Sequence, residues 1–281
     1  MVVMNIAKTV LIELTYKCNH ECLFCYCPWL RFPDLVGREL DCSEWIAILD
    51  KLAAAGVKHI TFSGGEPLLK KDIGKLLAHA AALPFEFVTV FSNGLLIDEN
   101  MLEVFRRYKI QWATSLPGIF SFRYLTNSAM TSRQLLGKVR LAARKNVSVT
   151  VSITVGRKNL WETALTMLTA KFFGASALSV GACMPEGRAL EHPELCLSDK
   201  QYHKLLLLAN RFNSVLNIPI RFSYEQRCEC YNLDGTPSGT VPESCNAGKD
   251  FIVISPDGGV RKCMHSPEKI CMIDKFLNND F

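Results

Sequence analysis

Apolar residues recur along this chain with two periods, every second position in short runs and every third or fourth in longer ones, and the two kinds of run take turns. Val10 to Leu14 reads as a first strand. Asp41 or Ser43 then caps a helix over roughly Glu44 to Ala55, with Trp45, Ile48, Leu49 and Leu52 as its buried stripe and Gly56 as its stop. A second strand follows through Val57, Ile60 and Phe62. The alternation continues with helix Lys71 to Leu83, strand Phe85 to Phe91, helix Glu99 to Tyr108, strand Ile110 to Ser115 and helix Arg133 to Lys145. Strand Val147 to Val155, helix Asn159 to Phe172 and strand Ala175 to Gly181 complete it. In the fifth strand Val149, Val151, Ile153 and Val155 share one face, and Ser152 and Thr154 fall on the other. Six strands alternating with helices predict an α/β fold with a mostly parallel sheet, helices on one side, and functional residues at the carboxyl ends of the strands.

Two stretches have no clean period. Pro28 to Arg38, with Trp29, Phe32, Pro33 and Gly37, reads as a loop able to fold over a site, and Ser121 to Ser132 as a second loop at that site. Leu197-Ser198-Asp199 starts a helix reaching about Phe212, with Tyr202, Leu205, Leu206 and Ala209 facing inward, and the main domain is placed at residues 1–215. From Ile218 the composition becomes rich in Gly, Pro and Asn. Phe251 to Ser255 and Val260 to Lys262 flank Pro256-Asp257-Gly258-Gly259, a hairpin signal. Residues 216–281, with Cys228, Cys230, Cys245, Cys263 and Cys271, are therefore expected to form a small second domain that draws much of its stability from a bound metal.

With 281 residues, 49% of them apolar, the chain has material for a sizeable core, which excludes wholesale disorder. No run of eighteen or more apolar residues suits a membrane span, and Met1 to Lys8 has none of the marks of a secretory signal, so the expectation is a cytoplasmic protein. In that setting twelve closely grouped cysteines read as reduced thiolates holding metal. The net charge of +5 comes without a long Lys/Arg block, which gives nucleic acid no backbone track while leaving an anionic cofactor or acidic substrate compatible.

The densest chemistry lies just after the first strand, where Cys18, Cys22 and Cys25 are spaced C-x3-C-x2-C. A structural zinc recruits four protein ligands, whereas a compact threesome leaves one metal of a cubane without a protein ligand and open to chemistry. Spacing alone leaves zinc and iron–sulfur both standing. The second signal is Ser63-Gly64-Gly65-Glu66-Pro67 after the second strand. Its glycines allow a tight turn close to a ligand, and Glu66 and the exposed carbonyls can accept from an ammonium group, although an ordinary strand-to-helix turn reads the same way.

Together these stretches resemble the radical S-adenosylmethionine enzymes, whose hallmark C-x3-C-x-aromatic-C is matched by Cys18, Cys22, Phe24 and Cys25, followed by Tyr26, and whose glycine-glycine-glutamate-proline motif is matched by Gly64, Gly65, Glu66 and Pro67. The resemblance implies a partial, open (β/α)6 TIM-like barrel. It also implies a [4Fe-4S] cluster on the three thiols, with S-adenosylmethionine on the unique iron. Phe24, Tyr26, the Gly64 to Pro67 turn, Asn93, Ser115 and Ser152 are then the cofactor contacts; proline at 117, where relatives often carry a side-chain acceptor, makes Ser115 the better candidate there. Cys183 is the candidate catalytic thiol, as hydrogen-atom donor or substrate contact, against the blander reading of a small buried hydrophobe shared with Cys196. Arg188 is a candidate carboxylate contact, Cys27 lies beside the cradle without being a ligand, and Cys42 reads as packing.

In the tail, Cys245, twelve residues, Gly258, four residues and Cys263 resemble the first half of an auxiliary-cluster domain, called SPASM when complete and twitch when shortened. One auxiliary [4Fe-4S] cluster is implied, on Cys245 and Cys263 with further ligands from Cys228, Cys230 and Cys271, the last alternatively a free thiol. By resemblance, an electron from a flavodoxin- or ferredoxin-like donor starts a 5'-deoxyadenosyl radical that takes a hydrogen atom from a substrate. A residue of a ribosomally made peptide is favoured as that substrate over a small metabolite such as an aminoglycoside precursor, and a zinc-stabilised binding protein is the rival from another class. Neither nucleic acid nor a membrane is an expected partner.

Overall fold

The computed structural model describes residues 7–222 and 246–278. Strands β1 (Thr9–Glu13), β2 (His59–Ser63), β3 (Phe87–Phe91), β4 (Gln111–Ser115), β5 (Val149–Val155) and β6 (Ala177–Ala182) lie side by side in chain order, every pair parallel. The crossovers run through α1 (Cys42–Ala54), α2 (Ile73–Ala82), α3 (Glu99–Arg107), a short α4 (Phe122–Thr126) followed by α5 (Ser132–Arg144), and α6 (Thr163–Phe172). Local chemistry sets these boundaries. Asp41 and Glu44 form a reciprocal capping box at the start of α1, and Thr131 with Gln134 does the same for α5.

The two faces of the sheet differ in kind. On the helix-covered face Ile12, Phe62, Val90, Trp112, Val151 and Val180 pack beneath Leu49, Leu76, Phe105, Leu135 and Met167 in one continuous core. The other face of β4, β5 and β6 carries Ser115, Ser152 and Ser179 at one register level, with Thr154 opposite Gly181 above it. A closed barrel fills its interior with bulky branched side chains. Small polar ones leave this interior open.

The expected six-stranded barrel is present, and the sheet extends past it at both edges. After α7 (Asp199–Leu216), β7 (Ile220–Phe222) adds parallel to β6. At the far edge β8 (Phe251–Ile254) adds parallel to β1, β9 (Gly259–Arg261) returns antiparallel, and β10 (Cys271–Met272) pairs with β9 ahead of α8 (Ile273–Asn278). The hairpin read at Pro256 to Gly259 is therefore present, with Gly258 in the left-handed region at φ +85°. Its docking on β1 joins positions about 240 residues apart, from Thr9 to Phe251, and no local pattern announces it. Two local expectations also change. The aperiodic stretch after β4 contains α4, because Phe122 and Leu125 anchor in the interior, and α7 continues past Phe212 until Asn217 ends it at φ +51°.

One buried ion pair ties the tail to the barrel. Arg261, 1% exposed, meets the carboxylate of Glu13, also 1% exposed, at the end of β1. The same guanidinium donates to Ser255 Oγ at 2.9 Å and to the carbonyls of Ser266 at 2.7 Å and Met264 at 3.2 Å. Burial pushes the Glu13 carboxyl up, and the Arg261 cation offsets that in part. Removing one member leaves an uncompensated buried charge. Arg261→Met is expected to destabilise the fold by about 3–5 kcal/mol in chemical denaturation. Adding Glu13→Leu should restore only part of that, since the freed carbonyls stay unpaired.

Candidate active site

Where β1 ends, the chain turns into the cysteine loop, and the turn after β2 lies directly against it. Gly65 N donates to Thr15 O at 2.8 Å and Glu66 N to Lys17 O at 2.8 Å. A Cβ on Gly64, held at φ +123°, would sit 2.6 Å from Thr15 O, and one on Gly65 would sit 2.1 Å from Lys17 O. The paired glycines were expected to admit a ligand. Their missing side chains also admit the backbone that leads into Cys18, and both glycines line the cavity described below.

The side chain of Glu66 is held within the protein. Fully buried, it accepts from Leu68 N at 3.1 Å and Asn93 N at 2.8 Å, so its carboxylate joins the β2 turn to the β3 turn. Burial raises its pKa against the pull of those amides. Pro67 follows as the first residue of a short 3-10 turn and is likewise buried. Asn93 passes the link on, donating through Nδ2 to Asn19 Oδ1 at 2.6 Å, with Cys18 Sγ 4.0 Å from the same nitrogen. Behind the loop, Glu39 accepts from Thr15 Oγ1 at 2.7 Å and Tyr16 N at 3.0 Å, with Lys70 3.6 Å away.

The other flank of the loop is clamped just as firmly. Leu23 N donates to Leu125 O at 2.8 Å, and His20, buried, hydrogen-bonds Ser128 Oγ at 2.8 Å. Arg188 N donates to Cys25 O at 2.8 Å and its guanidinium to Cys22 O at 3.3 Å. The sequence raised Arg188 as a carboxylate contact, and the structure makes it the cation beside the cradle.

Cys18, Cys22 and Cys25 open on a cavity of about 830 Å³ at the carboxyl ends of the strands, within the range of small-molecule and cofactor sites. Phe24, Tyr26, Gly64, Gly65, Asn93, Ser115 and Ser152 line it with them, as do Thr154, Ser179 and Arg188. The loop from Pro28 supplies Trp29, buried and edge-on to Tyr16 with ring centroids 5.2 Å apart. Cys27 packs behind the cradle with Sγ 3.9 Å from Gly64 O. Burial pushes the thiols of Cys18 and Cys22 up, while Cys25 is pulled down, chiefly by a hydrogen bond from Cys27 and then by Arg188. Metal ligation requires all three as thiolates, and a bound cation supplies the compensation that burial withholds. No three His, Cys, Asp or Glu side chains among the described residues gather at one ion's position. Three thiols spread around one cavity suit a multinuclear cluster better than a single tetrahedral ion.

The tail reaches the same cavity. Cys263 and His265 line it; the His265 ring lies 5.2 Å from that of Tyr26 and its Nδ1 pairs with the buried Glu186 carboxylate. Arg261, Glu186 and His265 went unread because each is an ordinary charged residue in its own neighbourhood. Cys271 stands in β10 opposite Val260, packed partly against the core and away from that wall. Cys228, Cys230 and Cys245 lie outside the described residues. Cys183, the candidate catalytic thiol, lies just past the end of β6. It is 5% exposed among Leu125, Ala189 and Leu195, and its hydrogen bond with Cys196 and its burial push the thiol far up. Its side chain packs in that small cluster, between the cavity-lining residues Ala182 and Met184.

Residues 12–169, more than half of the chain, match the Radical SAM superfamily. The chain is 25% identical over 269 residues to the PqqA peptide cyclase of Granulibacter bethesdensis, covering 93% of itself and 68% of that protein. It is 30% identical over 255 residues to the sporulation killing factor maturation protein SkfB of Bacillus subtilis, covering 90% of itself and 59% of that protein. The structure of Streptococcus suis SuiB bound to precursor peptide SuiA superposes with a TM-score of 0.74 at 14% identity, over 98% of this chain and 64% of that one, and so shares the fold. The chain thus spans about three fifths to two thirds of these proteins.

The contact between the β2 turn and the cysteine loop is open to a direct test. Gly65→Ala drives a methyl into the Lys17 carbonyl and is expected to lower iron bound per chain severalfold after anaerobic reconstitution. Gly74→Ala, on α2 with nothing within 4 Å of its Cβ, should leave iron content unchanged and stabilise the helix by about 0.5–1 kcal/mol.

Proposed function

The chain belongs to the Radical SAM superfamily, and on that premise we propose that it is an enzyme modifying a residue of a ribosomally made peptide by crosslinking, epimerisation or oxidation. One observation carries the reading. The three thiols of Cys18, Cys22 and Cys25 and the Gly64–Gly65 turn, bonded backbone to backbone, open on one cavity at the carboxyl ends of the strands.

In this reading Cys18, Cys22 and Cys25 hold a [4Fe-4S] cluster whose fourth iron is left for S-adenosylmethionine. Bound and reduced, that pair supplies a 5'-deoxyadenosyl radical able to take a hydrogen atom from an unactivated carbon. The residues of this chain do the rest. Arg188 offsets the negative charge of the thiolates. Ser115, Ser152 and Ser179 present a row of hydroxyls for the polar parts of cofactor and substrate, and their small size leaves the substrate carbon room to approach. Trp29 and Tyr26 cover the loop and keep water from the reacting centre.

Cys263, carried to the cavity on the loop that Arg261 fixes, is assigned to one auxiliary [4Fe-4S] cluster of a SPASM or twitch-type tail, together with Cys245 and others among Cys228, Cys230 and Cys271. A flavodoxin- or ferredoxin-like donor and a cytoplasmic setting belong to the same reading. No helix among the described residues is long and apolar enough to cross a membrane. The peptide is favoured over a metabolite because PqqA peptide cyclase and SkfB, by their names, act on a peptide and on a sporulation killing factor.

Anaerobic protein given dithionite and S-adenosylmethionine is expected to release 5'-deoxyadenosine and methionine, and Cys18→Ala, Cys22→Ala and Cys25→Ala each to abolish that release. Mass spectrometry of short peptides encoded beside the gene should then find one whose mass changes on incubation. Turnover of a metabolite with every such peptide unchanged would replace the substrate class, and zinc in place of iron with no cleavage would remove the chemistry altogether.

A further inference from the structure

The loops after β4 and β5 carry an aromatic surface that the cavity does not use. Phe120 and Trp161 stack with ring centroids 5.7 Å and planes 15° apart, yet each keeps 68% of its surface in solvent, and Tyr124 on the adjoining α4 keeps 55%. Exposed rings held in one arrangement need a frame, and the frame is present. The buried carboxylate of Glu162 accepts from the amides of Ile119 at 2.8 Å, Phe120 at 2.7 Å and Ser121 at 3.0 Å. Asn159, fully buried, accepts from Gly156 N at 2.6 Å and donates to the carbonyls of Thr154 and Pro117. Trp161 Nε1 is itself anchored on Lys158 O at 3.1 Å.

The same two loops carry three exposed cations, Arg123, Arg157 and Lys158, and among the described residues none of them pairs with a carboxylate. Glu162 cannot serve them, since both its oxygens are held by amides. Ser115, Thr126 and Thr154, on these same segments, line the cavity, so the elements that carry the platform also form part of the cavity wall. Stacked rings offer a rigid apolar anchor, and unpaired cations around them select an anionic partner and speed its arrival.

Resting on the reading of a peptide substrate, we propose that the Phe120–Trp161 platform docks an acidic segment of that peptide bearing an apolar or aromatic side chain, away from the residue being modified. Trp161 is also a built-in reporter, because the other three of the four tryptophans, Trp29, Trp45 and Trp112, are 6%, 0% and 0% exposed. Two synthetic peptides of equal length serve as probes, one with glutamates around a central Leu-Phe pair and one with lysines in their place. The acidic peptide is expected to shift the protein's tryptophan emission saturably, more weakly as salt is added, and the basic peptide to leave it unchanged. Fluorescence anisotropy of dye-labelled acidic peptide should show binding weakened about tenfold or more by Arg157→Glu with Lys158→Glu, and lost in Trp161→Ala. Both variants should keep the parent's circular dichroism and its peptide-independent deoxyadenosine release, which separates lost docking from lost folding. Equal binding of the two peptides, binding of neither, or indifference to charge reversal overturns the platform while the peptide-substrate reading stands. Turnover of a metabolite in place of any peptide overturns that reading and the platform's assigned occupant with it.

Discussion

The structure depends most on one backbone contact, the seating of the Gly64–Gly65 turn against Thr15 to Lys17. Any side chain at position 65 would place its Cβ 2.1 Å from Lys17 O, so the approach exists only because two residues there lack one. Through it the end of β2 holds the start of the cysteine loop, and Glu66 carries the hold to β3 by accepting from Asn93 N at 2.8 Å. Three strand ends are thereby locked around Cys18 before any side chain addresses a ligand. A loop that gathers three thiols beside one cavity is unfavourable by itself, since desolvation and mutual repulsion both oppose the thiolate forms at Cys18 and Cys22. The fold meets that cost with hydrogen bonds to the loop's backbone and with Arg188.

The tail is held by a second, electrostatic constraint. β8 continues the sheet by pairing with β1, and Arg261 and Glu13 meet behind the cavity where the two ends converge. Buried pairs of this kind add little net stability compared with apolar residues. Their geometry is specific, however, and here it sets where the 263–266 loop can lie. With Arg261 bonded to three carbonyls of that loop and His265 against Glu186, Cys263 faces the same space as Cys18, Cys22 and Cys25. Thiols 238 residues apart in sequence, Cys25 and Cys263, thus line one chamber.

What could be read from the sequence divides along the same line. The alternation of Val149, Val151, Ile153 and Val155 and the stripe Trp45, Ile48, Leu49 and Leu52 report local periodicity, and each lies buried where that periodicity puts it. The cysteine spacing and the glycine turn were legible because they are short and contiguous. Glu66 was legible as important while its two amide partners were not, for nothing local says where a carboxylate after two glycines points. The surroundings of Cys183 were hidden for a related reason. It directly follows β6, and whether its sulfur turns to the cavity or to Cys196 is decided by Ala189 and Leu195, from the segment that folds back over it. Arg261 and Glu13 were invisible as a pair, since 248 residues separate them.

The interior face explains how one scaffold can serve both ends of such chemistry. In a closed barrel, bulky side chains meet at the axis and functional residues gather above them, on the loops and strand ends. Here β4, β5 and β6 place Ser115, Ser152 and Ser179 at one level and Thr154 beside Gly181 at the next, so the strands themselves form the chamber wall. A wall on strands is stiffer than one on loops, and stiffness matters where a reactive carbon must be held at contact distance and kept from every other donor. The loops above are then free to vary. On the β4 and β5 sides they are braced by Glu162 and Asn159 and present Phe120 and Trp161 to solvent. In the proposed reading, the rigid sheet and the cysteine loop set where the radical starts, and surfaces built on loops that the same sheet holds in place set what reaches it.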